Sequence, residues 1–530
     1  MMKDRIRYIY KVLCAVLALV SLCQCSEGLN PDAGDVIPPA LEETVSPNGK
    51  DTWGIITDTD GRPIVDVVVS DGFVCVHTDK SGLFEFNRNG EADFVSYSIP
   101  SDYKVTIGET SLPCFYKSLN PDIYRYDFTL EKSKVETSFN LISIGDPQIN
   151  DTSHPIRFNN EVGTSIYSYT KSLDVPSYAI ALGDYVNNKW DLFKYMMRCV
   201  QKDKLGIPTF STIGNHDHEF PKHNDRESRQ RYQSFFGPVN YSFNRGDVHI
   251  VVMDNVIHDA RESTSYIGGF EDYQLEWLKQ DLSYVPKDKM IVFCVHIPFR
   301  GGASNGGSSV NFNRHYEDVI NLLGQYSNAM ILSSHTHSNM TWEHIASSGK
   351  KIYEHIVGTA CGAWWRSTVC TDGAPIGFGA YLLDGNNVVN GGYIAAKHNP
   401  DFQIRLYRGS DIFTGGQSEH YTFIHNSKGQ IIANVWNWDP SWKVSVYEDD
   451  RYTGTMSQYT DKDAWTVAYH CGVLHGSSTY NKNTNHLFYY TLKNPSAKVR
   501  VEATDRYGNK YSQGVYTDPK SNPSQFHADF

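Results

Sequence analysis

Across its 530 residues the chain has no long run of Lys or Arg, no CxxC pair and no second long apolar run beyond its N-terminus. Each absence excludes a class. Lys and Arg number 48 against 60 Asp and Glu, a formal net charge of −12, so the clustered positive charge that a phosphate backbone demands is missing. That excludes general nucleic-acid binding. The lack of paired thiols disfavours a structural zinc site, and without a later run of about 20 apolar residues no internal segment reads as a membrane-spanning helix. What is present is a globular composition: 40% hydrophobic, 13% aromatic and 20% charged residues are too apolar for a disordered chain. The 41 Gly and 34 Tyr suit turns and strands better than helical bundles. The length predicts roughly three domains, at about 150 residues each.

Lys3, Arg5, Arg7 and Lys11 precede the apolar run 12–23. A basic segment ahead of about a dozen apolar residues reads as an export signal. The stretch Leu22-Cys23-Gln24-Cys25 resembles a bacterial lipoprotein signal, although Gln24 is bulky where that motif prefers a small residue. The resemblance implies lipidation at Cys25 and a cell-envelope protein, of outer-membrane lipoprotein type, held to the membrane by a lipid anchor. The alternative is an ordinary cleaved signal and a freely secreted product. Residues 1–25 are thus read as signal and 26–48 as a flexible tether. Of the remaining cysteines, Cys199 and Cys294 lie in apolar runs and read as buried thiols. Cys361 and Cys370, nine apart around a Trp-rich loop, could form a disulfide in an oxidising compartment.

Residues 49–132 alternate apolar and polar positions between turn signals such as Asp60-Gly61 and Ser81-Gly82, which predicts a small β-sandwich. Its pattern resembles carboxypeptidase-regulatory-like modules. From about residue 134 the period changes. The continuous apolar strands SFNLISI, YAIALG, TFSTIG, HIVVMD, MIVFCVH and AMILSS are separated by amphipathic helical patterns at 191–200, 273–282 and 316–323. Buried strands alternating with helices predict an α/β core over 134–392. Residues 400–530 return to short alternating segments and predict a second β-sandwich, with Trp436, Trp438 and Trp442 in its core.

The α/β region closes strand after strand with a metal-ligand-type group: Asp146 and Gln148, then Asp184, then Asn215, His216 and Asp217, then His296, then His335 and His337. Ligands in open α/β sheets bind beyond the carboxyl ends of the strands, so these residues are expected on one rim. Carboxylate, amide and imidazole donors without thiolates suit a borderline transition ion such as Mn, Fe, Co or Zn.

In this order, Asp146-Pro147-Gln148, Gly183-Asp184, Gly214-Asn215-His216-Asp217, Val295-His296 and Ser334-His335-Thr336-His337 resemble the motifs of the calcineurin-like metallophosphoesterases. The resemblance implies a four-layer core with mixed β-sheets flanked by helices, set between the two small all-β sandwich domains. It implies two divalent metal ions, the first held by Asp146, Gln148, Asp184 and His337, the second by Asp184, Asn215, His296 and His335. It also implies a general acid, His216, oriented by Asp217 or a nearby carboxylate, and attack by a metal-bound hydroxide on a phosphoryl group. Two departures stand out: Gln148 where the family usually has His, and Ser334 where it usually has Gly. Around this set, Asn187, Arg300, Trp364 and Trp365 are candidate substrate contacts, Arg300 through its bidentate fork and the tryptophans as pocket walls.

The sequence reading is therefore a binuclear-metal phosphoesterase of the cell envelope, hydrolysing a phosphomonoester or phosphodiester on a small-molecule, lipid or glycan partner. Nucleotide or pyrophosphate hydrolysis at the same centre, or an inactive glycan-binding lipoprotein, are the alternatives.

Overall fold

The structure, a computed structural model, describes residues 45–259, 265–300, 312–414 and 420–514. The signal segment, Cys25 and the tether up to residue 44 lie outside the described residues; the expected tether's last residues, 45–48, enter a turn in which the Lys50 N–H donates to Ser46 Oγ at 2.8 Å.

The six apolar runs all form strands, and their lack of alternation has a structural cause: both faces are covered. The central strands Ser138–Ile144, Ser177–Leu182 and Thr209–Thr212 pair in parallel, and the antiparallel strands Gly377–Asp384 and Asn387–Ala395 complete a five-stranded sheet. A six-stranded mixed sheet runs in the order Tyr241–Arg245, Val248–Val252, Met290–Cys294, Asn328–Ser333, Lys351–Ile356, Met340–Ile345. The two sheets face each other across a core that includes Leu141, Ile180, Leu182, Ile250, Val252, Val292 and Leu332, all at most 1% exposed. Each such side chain contributes about 1.5–3 kcal/mol of apolar burial. Helices close the outer faces: Phe193–Val200 and Asp225–Phe236 cover the first sheet, and Asp272–Ser283 and Tyr316–Leu323 cover the second. The result is helix, sheet, sheet, helix.

On either side of this core the chain is built of strands. The N-terminal region pairs a three-stranded with a four-stranded sheet, and the C-terminal region packs two four-stranded sheets around Trp442, Val444, Phe488 and Val501. Among the described residues no helix is long and apolar enough to cross a membrane.

Cys199 and Cys294 are buried and free. So are Cys361 and Cys370, which corrects the disulfide considered above. Their sulfurs face different partners: Cys361 Sγ lies 3.8 Å from His337 Nδ1, and Cys370 Sγ lies 3.7 Å from the carbonyl of Thr359.

One buried histidine of the second sheet ties stability to pH. The side-chain amide of Asn339 donates to Trp436 O, so its oxygen must accept from His355 Nε2 at 2.9 Å; Nδ1 then accepts from Tyr381 Oη at 2.6 Å. The ring is held neutral, and burial, aided by Arg506, pushes its pKa down from 6.5 to about 3. The folded state binds fewer protons there than the unfolded chain. Its contribution is complete above pH 6.5 and falls away as pH drops toward 3. Between pH 6.5 and 4.5 the loss is roughly 2–3 kcal/mol. Urea midpoints at both pH values should therefore converge in His355→Gln relative to wild type; identical pH slopes in the two proteins would remove His355 from the account.

Candidate metal centre

Strand ends bring the candidate ligands together, and tight local backbone aims them. Asp146, Gln148, Asp184, His335 and His337 all take left-handed φ values, between 37° and 69°. That region is costly for residues with a Cβ and persists where the surroundings enforce it, commonly at functional sites. Two glycines let the loops approach. A Cβ on Gly214 would stand 2.3 Å from Asp184 Oδ1, and one on Gly183 would stand 2.8 Å from His296 Nδ1. These contacts account for the Gly that precedes each of the two motifs.

The seven candidate ligands form one continuous cluster. Gln148 Nε2 donates to Asp184 Oδ2 at 3.0 Å. His296 Nε2 lies 3.4 Å from Asp184 Oδ1, 3.0 Å from Asn215 Oδ1 and 3.2 Å from His335 Nδ1. The backbone N–H of His335 donates to Asp146 Oδ2 at 2.9 Å, while His337 Nε2 stands 3.7 Å from Asp146 Oδ1. Asp146, Gln148, Asp184, Asn215, His296 and His337 are all buried.

Their donor chemistry fits divalent ions. His296 Nδ1 donates to the carbonyl of Leu182 at 2.7 Å, which leaves Nε2 a lone pair facing oxygen and nitrogen acceptors. Such an outer hydrogen bond is the usual way a ligand imidazole is oriented. Asp146 Oδ1 and Gln148 Oε1 are buried acceptors reached by no described donor. Buried acceptors left without a donor call for a cation, and Asp184, His296 and His335 by themselves meet the spacing of a metal site. Electrostatics agree. Burial opposes a charge on His296, yet Asp184 and Asp146 draw positive charge there and push its pKa up to about 9. Burial, with Lys482 beside it, pushes His337 down to about 3; burial and His296 push His335 well below its ordinary value. Burial works to raise Asp184, but His296 and His216 hold it below the usual carboxylate range, whereas burial and the Asp184 charge raise Asp146 to about 7.

A second cluster, His218, Asp225 and Asp254, has similar spacing. There the cation is already supplied: Arg229 Nη1 lies 3.1 Å from Asp225 Oδ2 and 3.9 Å from Asp254 Oδ2. The contrast separates a network that Arg229 already pairs from a centre whose carboxylates no described Lys or Arg reaches at ion-pair distance.

His216 is half-buried beside the cluster. Its backbone N–H donates to Asp184 Oδ1 at 2.8 Å, its carbonyl accepts from Trp190 Nε1 at 3.2 Å, and its Nδ1 has no partner among the described residues. Asp217 does not orient that ring. Its carboxylate accepts from the backbone N–H groups of Gly214 and Val186, 3.0 and 3.1 Å away, and so clamps two ligand loops together. Ser334 has a partner of its own, donating to Leu182 O at 3.1 Å beside His296.

The expected substrate contacts divide. Trp364 is half-exposed and stacks on His337 with ring centroids 4.3 Å apart. Trp365 is buried instead: its Nε1 donates to Pro147 O at 2.8 Å and its ring stacks on His154, so it braces the Asp146–Gln148 loop rather than walling a pocket. Asn187 is half-buried beside the Asp184 loop, with its N–H on Ile149 O. Arg300 is exposed, its guanidinium 5.8 Å from the Trp342 ring, and no described contact joins it to the cluster. Two neighbours escaped the sequence reading. Tyr266 Oη stands 3.5 Å from His335 Nε2, and Lys482 Nζ donates to Thr336 O at 2.7 Å. Neither belongs to a motif, and only tertiary packing brings them here.

Residues 160–339 match the family model described as Calcineurin-like phosphoesterase. Residues 50–133 and 354–511 match the models described as its N-terminal and C-terminal parts. No curated protein matches the chain. Similar solved structures include purple acid phosphatase PPD1 from yellow lupin (Lupinus luteus) seeds, 13% identical, covering 62% of this chain and 67% of that one with a TM-score of 0.36. A 5'-nucleotidase precursor from Thermus thermophilus is 10% identical over 74% of this chain and 96% of its own, TM-score 0.30. Phosphopantetheinyl hydrolase from Mycobacterium tuberculosis is 11% identical over 43% of this chain and 92% of its own, TM-score 0.26.

Proposed function

The chain belongs to the calcineurin-like phosphoesterases, metal-dependent hydrolases, and from that premise we propose that it hydrolyses phosphomonoesters or phosphodiesters at the cell envelope. The observation that carries the reading is the buried cluster of donor atoms around Asp184 and His296, beside a half-buried His216, whose carboxylates no described Lys or Arg reaches at ion-pair distance. Two divalent ions bound there would acidify a water molecule and neutralise charge on the phosphoryl group. Asp146, Gln148, Asp184 and His337 would hold one ion, and Asp184, Asn215, His296 and His335 the other. Asp184 also fixes His216 through its backbone N–H, so the acid rides on the same loop as the ligand Asn215. In the reaction water adds to phosphorus and the P–O bond to the leaving group breaks. The leaving oxygen takes a proton from His216, and the proton lost by water restores it.

The test uses the full chain loaded with Mn, assayed on aryl phosphate monoesters and diesters, with metal content by mass spectrometry. Hydrolysis of at least one ester, lost on chelation and restored by Mn, is the expected result. No turnover of any ester at two metals per chain would overturn the reading. The envelope location rests on the basic and apolar N-terminal segment and on Cys25. If it holds, membrane fractionation should find Cys25→Ala among soluble proteins and the wild type with membranes.

A further inference from the structure

One short segment of the C-terminal region reaches the metal centre. The turn Ser478–Tyr480 is pinned to the Trp364 loop because His470 bonds both Tyr480 O and Ser367 Oγ, each at 2.9 Å. Lys482 follows, held at one end by the loop that carries His335 and His337 and at the other by the Trp364 loop. Its backbone N–H donates to Thr371 O at 2.8 Å, and its ammonium donates to Thr336 O at 2.7 Å, between His335 and His337. Thr371 in turn donates from Oγ1 to His337 O at 2.7 Å. Trp364 stacks on His337, the Tyr480 ring lies tilted against it with centroids 5.3 Å apart, and the exposed Arg366 guanidinium lies 5.5 Å from the Tyr480 ring.

Charge makes this corner unusual. Lys482 is half-buried, yet among the described residues no carboxylate lies within ion-pair distance of its ammonium, nor of the Arg366 guanidinium. One carbonyl uses one of the three ammonium hydrogens and leaves two donors. Burial works against the charge on Lys482, and Asp146 and Asp372 favour it only from beyond ion-pair distance, so an anion that reached the two free ammonium hydrogens would find unused donors. Lys482 is close enough to the ligands for its charge to depress both His335 and His337. Two divalent ions against the carboxylates of Asp146 and Asp184 would already leave the centre positive. A phosphoryl group and the attacking water offset that excess. Beyond that balance, Lys482 keeps two unused ammonium donors and Arg366 an exposed guanidinium on the C-terminal side of the centre.

Building on the phosphoesterase reading above, we infer that Lys482 and Arg366 form a second anion subsite, on the C-terminal side of the metal centre, that takes the second phosphoryl group of a substrate carrying two linked phosphoryl groups. The terminal phosphoryl group lies over the metal ligands and its neighbour lies on Lys482. Water adds to the terminal phosphorus, the P–O–P bond breaks on the terminal side, and the bridging oxygen leaves with the organic monophosphate, taking its proton from His216. The proton released by water returns to His216, and orthophosphate is the second product.

The experiment compares the metal-loaded full chain with Lys482→Gln, Arg366→Gln and the double variant. Calorimetry measures inorganic pyrophosphate and orthophosphate binding, and phosphate release is followed from adenosine 5′-diphosphate and from p-nitrophenyl phosphate. Wild type is expected to bind pyrophosphate at least about tenfold more tightly than orthophosphate, on the scale of one hydrogen bond to a charged group. Each single variant should lose most of that preference, with KM for the diphosphate rising about 10–100-fold and the ratio of diphosphate to aryl phosphate kcat/KM falling with it. Lys482→Arg should restore part of the preference, which a purely structural lysine would not predict. An unchanged pyrophosphate preference in the double variant overturns the subsite. Arg366 is exposed, so its variant carries the same test if Lys482→Gln does not fold. Binding is read apart from turnover: a chain that binds pyrophosphate but hydrolyses no ester overturns the phosphoesterase reading and leaves the subsite standing.

Discussion

Asp184→Asn is expected to emerge from purification with neither metal ion and with hydrolysis at background. The side chain is buried and serves both halves of the cluster: Oδ1 accepts from His216 N and lies 3.4 Å from His296 Nε2, while Oδ2 accepts from Gln148 Nε2. An amide has nearly the same volume but carries no charge. Its –NH₂ would have to face either the Gln148 amide or the His216 N–H, donor against donor. With Asp184 neutral, Asp146 would be the one carboxylate among the seven candidate ligands to balance two divalent ions. Loss of a mere outer partner of a ligand typically weakens a metal about 10–100-fold; loss of a carboxylate common to two ions should exceed that at both positions. Metal per chain by mass spectrometry after dialysis reads the effect directly, with the thermal midpoint as the control for folding. Two ions retained at wild-type affinity would mean that Asp184 does not bridge.

That the candidate ligands would converge was legible because the physics is local. A continuous apolar strand that ends in Gly-Asp or Gly-Asn-His announces both its burial and the rim where it stops, and the structure places Asp184, Asn215, His296 and His335 on that rim. The strand Met340–Ile345 was not legible, since MTWEHI has neither a continuous apolar run nor a clean alternation and lies at the edge of its sheet. Roles set by long-range packing were equally hidden. Trp364 and Trp365 are adjacent in sequence, but one stacks on His337 and the other braces Pro147. Asp217 sits next to His216, yet its oxygens turn to the backbone of two loops. Lys482 is 145 positions beyond His337 and is brought to it because the helical turn that carries His470 docks on the Trp364 loop.

His216→Ala should keep its metals and lose its turnover. The contacts that His216 makes to the centre run through its main chain, the N–H to Asp184 and the carbonyl to Trp190 Nε1, and alanine preserves both. None of the seven ligand contacts passes through its ring, so metal per chain should stay near wild type. What disappears is an imidazole beside the cluster whose buried Nδ1 has no partner among the described residues. Loss of a general acid typically lowers kcat about 10²–10⁴-fold. The size of the loss should depend on the leaving group: nitrophenolate departs without help, whereas an alkoxide needs its proton as the P–O bond breaks. Measured on p-nitrophenyl phosphate and on an alkyl phosphate, the variant should lose least on the first and most on the second. Equal losses on both, with metal content intact, would take His216 out of the acid role and leave it a residue that only shapes the Asn215 loop.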